Sequence, residues 1–252
     1  TGSFTTSSAR NQNDAGYARF KTTDQRINLG VAAQLDFGLV QMSYGNADGN
    51  LSGNYFGGKI SGDQFSVGLS SPIAMDGGLR VQSRFTYGDY DLNGTRVTNA
   101  GLASLKNLSG DTLVYGGGFE YLKSWDKVSL NANLELLGVR TSVDGFTETN
   151  AAALENLTVS AQREHFTMLA TSIKVGYKFT PHAQGFLTLS TDHEMGTEDH
   201  LVTAKVAVED VAFTVANPGV SKTRFKVGVG TQVQISDAVT WGTEANVGNA
   251  SS

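Results

Sequence analysis

The sequence predicts an all-β fold: an up-and-down antiparallel β-barrel spanning a bacterial outer membrane. Three observations predict it. Apolar residues recur at every second position in runs of about ten residues. The links between runs alternate short and long. The polar side of the runs carries mixed cations and carboxylates. Ordinary globular strands average about 5–6 residues, whereas a tilted membrane strand needs about 9–11. Outer-membrane barrels place short turns at the periplasmic end and long loops at the other.

Eleven strands follow in order. Gly2–Arg10 alternates weakly and is taken as the first, so residues 1–25 hold a poorly patterned strand and loop. Arg26–Phe37 sets Ile27, Leu29, Val31, Ala33, Leu35 and Phe37 against Asn28, Gly30, Gln34 and Asp36. Phe37-Gly38 turns it into Leu39–Gly45, and a long loop, Asn46–Gly62, leads to Asp63–Ile73. Ala74–Gly78 is short, and Leu79–Gly88 follows, with Leu79, Val81, Phe85 and Tyr87 opposing Arg80, Gln82, Arg84 and Thr86. After the loop Asp89–Gly110 come Asp111–Lys123, the turn Ser124–Asp126 and Lys127–Arg140. In the last of these Val128, Leu130, Leu134 and Leu136 oppose Ser129, Asn131, Asn133 and Glu135. The loop Ser142–Glu164 precedes His165–Phe179, the turn Thr180–His182 and Ala183–Glu194. The loop Met195–Val220 precedes Ser221–Ile235, the turn Ser236–Asp237 and Ala238–Gly248.

The whole chain, 1–252, is read as one barrel. Even-numbered barrels leave no open edge in lipid, where each unpaired backbone group costs several kcal/mol. A final strand is therefore expected after residue 252. The start at Thr1, without methionine or an apolar leader, fits a piece of a longer precursor.

The polar faces decide between soluble and membrane barrels, because a soluble barrel fills its interior with its apolar face. Here the polar faces carry Arg80, Arg84, Glu120, Glu135, Lys174, Arg224 and Lys226, which suit a wet lumen. These seven are the candidate lumen-facing contacts for a threaded polypeptide. Each is assigned from strand parity, which a one-residue bulge would reverse. A two-sheet sandwich with polar outer faces remains the alternative. Phe37, Tyr121, Trp125, Phe179 and Trp241 all lie beside short turns and are read as one interfacial girdle.

Composition narrows the function. Glycine is frequent (30 residues) and proline scarce (3), which suits strands and crowded backbones. No apolar stretch reaches the roughly 18–20 residues of a membrane helix, and mean hydropathy is -0.19. A membrane barrel shows no such stretch, since only alternate residues meet lipid. Without cysteine there is no disulfide, thiol chemistry or zinc–thiolate site. The net charge of -5 argues against nucleic acid.

Catalytic signatures are weak. Asp192-His193-Glu194 with Asp199-His200 is the one acid–histidine cluster, placed at the outer rim as in omptin-type proteases. Adjacent strand residues face opposite sides, so Asp192 and His193 share no pocket, and a solvated rim is the better reading. No nucleophile elbow or phosphate loop occurs, and Gly116-Gly117-Gly118 sits mid-strand. No cofactor or metal site and no enzyme activity is expected.

Val143–Phe179 resembles the translocator domain of autotransporters, the type V secretion barrels. The residues are Asp144-Gly145-Phe146-Thr147-Glu148, an alanine-rich Asn150–Leu154, Leu157-Thr158-Val159, and a strand ending Ile173-Lys174-Val175-Gly176-Tyr177-Lys178-Phe179. Tyr87-Gly88-Asp89-Tyr90 with Arg96 resembles that family's fifth strand and following loop. The likeness runs from about Arg26 to Gly248, and order and spacing carry it rather than any one motif. It implies a 12-stranded barrel in the outer membrane of a Gram-negative bacterium, both ends periplasmic. Membrane lipid, the barrel's own passenger and linker, and the barrel-assembly machinery would be its partners. The lumen would hold the linker of an N-terminal passenger bound for the cell surface. The family's pore-spanning helix and its aromatic-ended last strand have no counterpart here. A porin-like solute channel is the main rival, although porins usually need 16–18 strands.

Overall fold

The computed structural model describes residues 2–11, 20–53, 56–73, 78–99, 101–149, 155–196, 201–206, 212–216, 223–234 and 240–248. Eleven strands form one antiparallel sheet in simple chain order. They are β1 (Gly2–Asn11), β2 (Phe20–Leu35), β3 (Gly38–Gly53), β4 (Phe56–Pro72), β5 (Leu79–Thr98), β6 (Gly101–Trp125), β7 (Val128–Val143), β10 (Gln162–Thr180), β11 (Ala183–Met195), β14 (Thr223–Gln234) and β15 (Thr240–Gly248). The remaining four, β8 (Phe146–Thr147), β9 (Leu157–Val159), β12 (Leu201–Val206) and β13 (Ala212–Ala216), pair in the order β13-β12-β9-β8. The expected up-and-down antiparallel order, including the first strand, is present. The turn expected at Ser236–Asp237 lies outside the described residues.

Tight two-residue turns close β2–β3, β6–β7 and β10–β11 at Asp36-Phe37, Asp126-Lys127 and Pro181-His182. Asp126 takes a left-handed φ of 37°, which a short polar side chain tolerates.

The strands are longer than their apolar patterns. β5 has 20 residues and β6 has 25, so the expected loop Asp89–Gly110 is almost wholly strand. Asn46–Gly62 likewise pairs as the outer parts of β3 and β4. These segments lack period-two hydrophobicity because neither face meets lipid there. Their pairing is carried by the backbone ladder, helped by side-chain bonds such as Asn107 N to Asn93 Oδ1 at 2.9 Å.

The small sheet continues the wall. β7 and β10 pair Val143 with Gln162, and β8 and β9 pair Phe146 with Val159 in unbroken register. The bridge Ser104–Thr149 extends the β6–β7 register from Gly110–Val143 in the same way. Between β9 and β12 and between β12 and β13 the register slips by one residue relative to the strands below. The outer halves of four neighbouring hairpin strands thus form a collar above the apolar zone.

The two faces differ. Leu134, Ile173, Val227 and Phe85 are 47%, 48%, 48% and 45% exposed on the outward face. The buried apolar residues Ala103, Leu105, Leu108, Leu137, Val139 and Val159 sit instead in the outer half of β6, β7 and β9. Rings lie over glycines of neighbouring strands. A Cβ on Gly138 would come 2.7 Å from the Tyr115 ring, and one on Gly185 would come 2.9 Å from Phe179. Glycine at these positions lets an aromatic ring close on the backbone without a steric cost.

Candidate functional site: the charged inner wall

All seven residues assigned to the lumen share one face. Direct partners across strands fix this: Arg80 opposes Glu120, Glu120 opposes Asn133, and Lys174 opposes Asn131. Arg84 opposes Gly116, Glu135 opposes Gly118, and Lys226 opposes Ser190. Arg224 faces Asp192 on the same side.

The structure joins some of these groups and leaves others apart. Arg84 Nη2 stands 3.3 Å from Glu135 Oε2, although β6 lies between their strands. The intervening positions are Gly116 and Gly118, which raise no side chain into the gap. A Cβ on Gly117 or Gly118 would instead collide with neighbouring strand backbone. Glu120 accepts from Asn131 Nδ2 at 3.0 Å and from Ser70 Oγ at 3.5 Å. Asn133 donates to Asn131 Oδ1 at 2.9 Å and accepts from Gln82 Nε2 at 3.3 Å. The result is a polar chain across β4–β7. Arg80 donates to the Ser70 carbonyl at 3.3 Å, and its buried Nε has no partner among the described residues. Lys174 Nζ lies 3.6 Å from the Phe186 ring centre, a cation–π contact. Arg224 Nη2 reaches Met168 Sδ at 3.5 Å.

Phe37, Trp125 and Phe179 are exposed at 58%, 50% and 63% beside the described two-residue turns, and Trp241 is exposed at 55% near the start of β15. Tyr121 stands with them, half-buried and opposite Leu79. A second aromatic row, Tyr44, Phe65 and Tyr87 with Tyr115 beside it, crosses the outward face of β3–β6. Sequence spacing gives no sign of it, because register aligns it. Leu79 and Tyr87 bracket the apolar zone on β5, about 27 Å along the strand at roughly 3.4 Å per residue. With strands tilted by about 40°, that length spans roughly 20 Å of membrane depth, most of an apolar band about 25 Å tall. Across it runs a trough of ≈ 610 Å³ where Ala132 and Thr171 sit low between Leu79, Phe119, Leu134 and Val227.

A girdled apolar outer wall around a charged inner one is the architecture that known families can be compared with. The family model described as Autotransporter beta-domain matches residues 2–246. The chain belongs to that family. It is the outer-membrane translocator domain of a Gram-negative bacterium, and it exports a passenger polypeptide. The translocator domain of autotransporter NalP from Neisseria meningitidis superposes with a TM-score of 0.78 at 15% identity, covering 98% of this chain and 80% of that one. The beta domain of the Bordetella autotransporter BrkA gives 0.61 at 15%, covering 99% and 92%. The transport unit of AIDA-I from Escherichia coli gives 0.62 at 14%, covering 98% and 83%. No curated protein sequence matches.

The translocator has a further charged contact that parity reasoning missed. On the outer extension, Arg96 reaches from β5 past Ala103 of β6 to Glu148. Its Nε and Nη2 lie 2.9 and 2.6 Å from the two carboxylate oxygens. Nη2 also donates to the Glu155 carbonyl at 2.9 Å, and Leu157 N donates to Glu148 at 3.0 Å. The carboxylate of Glu148 holds the Arg96 guanidinium above its ordinary pKa, against the pull of burial. The geometry repeats that of Arg84 and Glu135: arginine on one strand, a small residue on the next, glutamate beyond. The only sequence sign was that both residues fall in segments that resemble the family.

At the rim of the translocator, Asp192 and His193 oppose Arg224 and Thr223 on opposite faces, as the alternation rule required. His193 Nδ1 lies 2.8 Å from Thr223 Oγ1, while Asp199 and His200 lie outside the described residues. Among the described residues no group of three or more acidic or histidine side chains is placed to hold a metal.

Proposed function

We propose that the inner charges form the contact surface for the linker of the passenger, and that the domain works as conduit and anchor without enzymatic activity. One observation supports this: all seven charged residues share one face of the sheet, and Leu134, Ile173 and Val227 lie exposed on the other. A polar polypeptide crossing the membrane needs water and exchangeable hydrogen-bond partners along its path. Arg84, Glu120, Lys174 and Arg224 supply both, with cations and carboxylates interspersed so that no single charge binds the chain tightly. Insertion of the barrel calls for the barrel-assembly machinery. The net charge of -5 argues against nucleic acid as a partner.

The test is surface display of a tagged passenger fused ahead of the domain. Reversing Lys174, Arg224 and Lys226 to glutamate together is expected to slow display severalfold while the amount of folded barrel stays the same. Unchanged display kinetics would refute the role of these residues.

A further inference from the structure

We propose that Arg140, Arg163 and His165 form a docking site on the outward wall for the phosphate groups of the glycolipid that fills the outer leaflet. Arg140 on β7 directly opposes His165 on β10, and Arg163 opposes Ser142 two positions further out. Arg140 shares its face with Leu113 and Tyr87, so all three side chains stand on the lipid side of the wall. All three are exposed. Below them the same face of β7 runs through Leu136, Leu134, Ala132 and Leu130 to Val128 without a charge, and that of β10 runs uncharged from Thr167 to Phe179. Twelve residues separate Val128, beside the tight turn, from Arg140. That is about 41 Å along the strand at roughly 3.4 Å per residue and, with a tilt of about 40°, roughly 31 Å of depth. The apolar band is about 25 Å tall. Both arginines therefore lie just past its outer edge, where headgroups surround the wall.

Charge selects an anion for this place. The ion pairs of Arg84 and Arg96 have no counterpart at Arg140 or Arg163 among the described residues. The carboxylates on their face stand toward β6: Asp111 opposes Ser142, and Asp144 accepts from Ser109 Oγ at 2.7 Å. Further round, Asp63 opposes Asp89, which opposes Asp111. A phosphate approaching from the bilayer is thus turned away from β4–β6 and drawn to β7 and β10. Two planar guanidinium groups in diagonal register can each offer paired N–H donors to its oxygens. His165 Nε2 lies 3.3 Å from Tyr115 Oη, which orients the ring and leaves its Nδ1 for a further bond. A lipid held there hangs its acyl chains over Leu136 and Leu169, toward the trough at Ala132 and Thr171. Binding of this kind needs only the position of the barrel in the membrane, not the passage of a passenger.

The test uses the full-length precursor, purified from outer membranes in mild detergent and freed of lipid by exchange, with lipid A as the probe. Bisphosphorylated lipid A should stay with the protein through size exclusion, and fully dephosphorylated lipid A should not. Arg140→Gln with Arg163→Gln should cut retention by on the order of tenfold, as expected when two cations leave a site for an anionic surface. Lys59→Gln, which removes an exposed cation on the acidic flank of the same face, should leave retention unchanged. If the double arginine variant gives no heat-modifiable folded barrel, Ser142→Glu, which sets a carboxylate beside both arginines, should lower retention in its place. Unchanged retention in these variants would overturn the site. So would equal retention of the two forms of lipid A, or an equal loss from Lys59→Gln.

Discussion

Arg96 and Glu148 have side chains 31% and 7% exposed, so the pair is shielded from the solvent screening that makes most surface pairs weak. Removing only the cation strands a buried carboxylate, which costs about 3 kcal/mol. Arg96→Met should therefore lower stability in a urea titration of the folded barrel by that order. Arg96→Met with Glu148→Leu should recover most of it. The folded pKa of Arg96 is raised, so its contribution is complete below the unfolded value and is lost only as pH climbs past the folded one. Both lie far above neutrality. The gap between wild type and Arg96→Met should thus stay constant from about pH 7 to about pH 10. Gly138 supplies a different residue-scale test. Gly138→Val would drive a side chain into the Tyr115 ring, 2.7 Å from the first added carbon, and should cost about 1–3 kcal/mol as overpacking does.

Strands such as β7 and β14 are asymmetric across their two faces, and substitutions should report it. Leu134→Lys, on the lipid side, should destabilise the folded barrel in liposomes by about 2–4 kcal/mol, as charges near a bilayer midplane do. Ser172→Lys, on the inner side, should change stability little; equal losses at both sites would mean the faces are wrongly assigned. This asymmetry also explains what the sequence made legible. Within the bilayer, lipid imposes period two on runs such as Lys127–Leu136 and Arg224–Ile235, and their strands could be read directly. Above it the constraint lapses. Leu92, Gly94 and Arg96 share a face with no common polarity, and an extra residue in β6, between Leu105 and Leu108 opposite them, breaks that strand's parity besides. Loops were expected where β5 and β6 continue for that reason.

At the scale of the whole molecule the long β5–β6 hairpin fixes orientation. Val97, at its tip, is 49% exposed, and Asp126 lies at the opposite end in a tight turn. With no native cysteine, Val97→Cys should react with an impermeant maleimide on intact cells, and Asp126→Cys should react only after lysis. The reverse pattern would invert the barrel. The candidate site was legible in part for a similar geometric reason. Parity alone puts Arg80, Arg84, Glu120, Glu135, Lys174, Arg224 and Lys226 on one wall. The partnerships that span a strand, such as Arg84 with Glu135 over Gly116 and Gly118, depend on three strands in register and cannot be seen in any one of them.

The extension of β5 beyond Tyr87 carries a consequence for the cargo. Eleven residues separate Tyr87 from Thr98, about 37 Å at roughly 3.4 Å per residue. A polypeptide that has cleared the bilayer thus has protein beside it for about ten more residues of extended length. Its earliest folding contacts are made beside a hydrogen-bonded palisade, shielded on that flank from the sugars and phosphates of the cell surface.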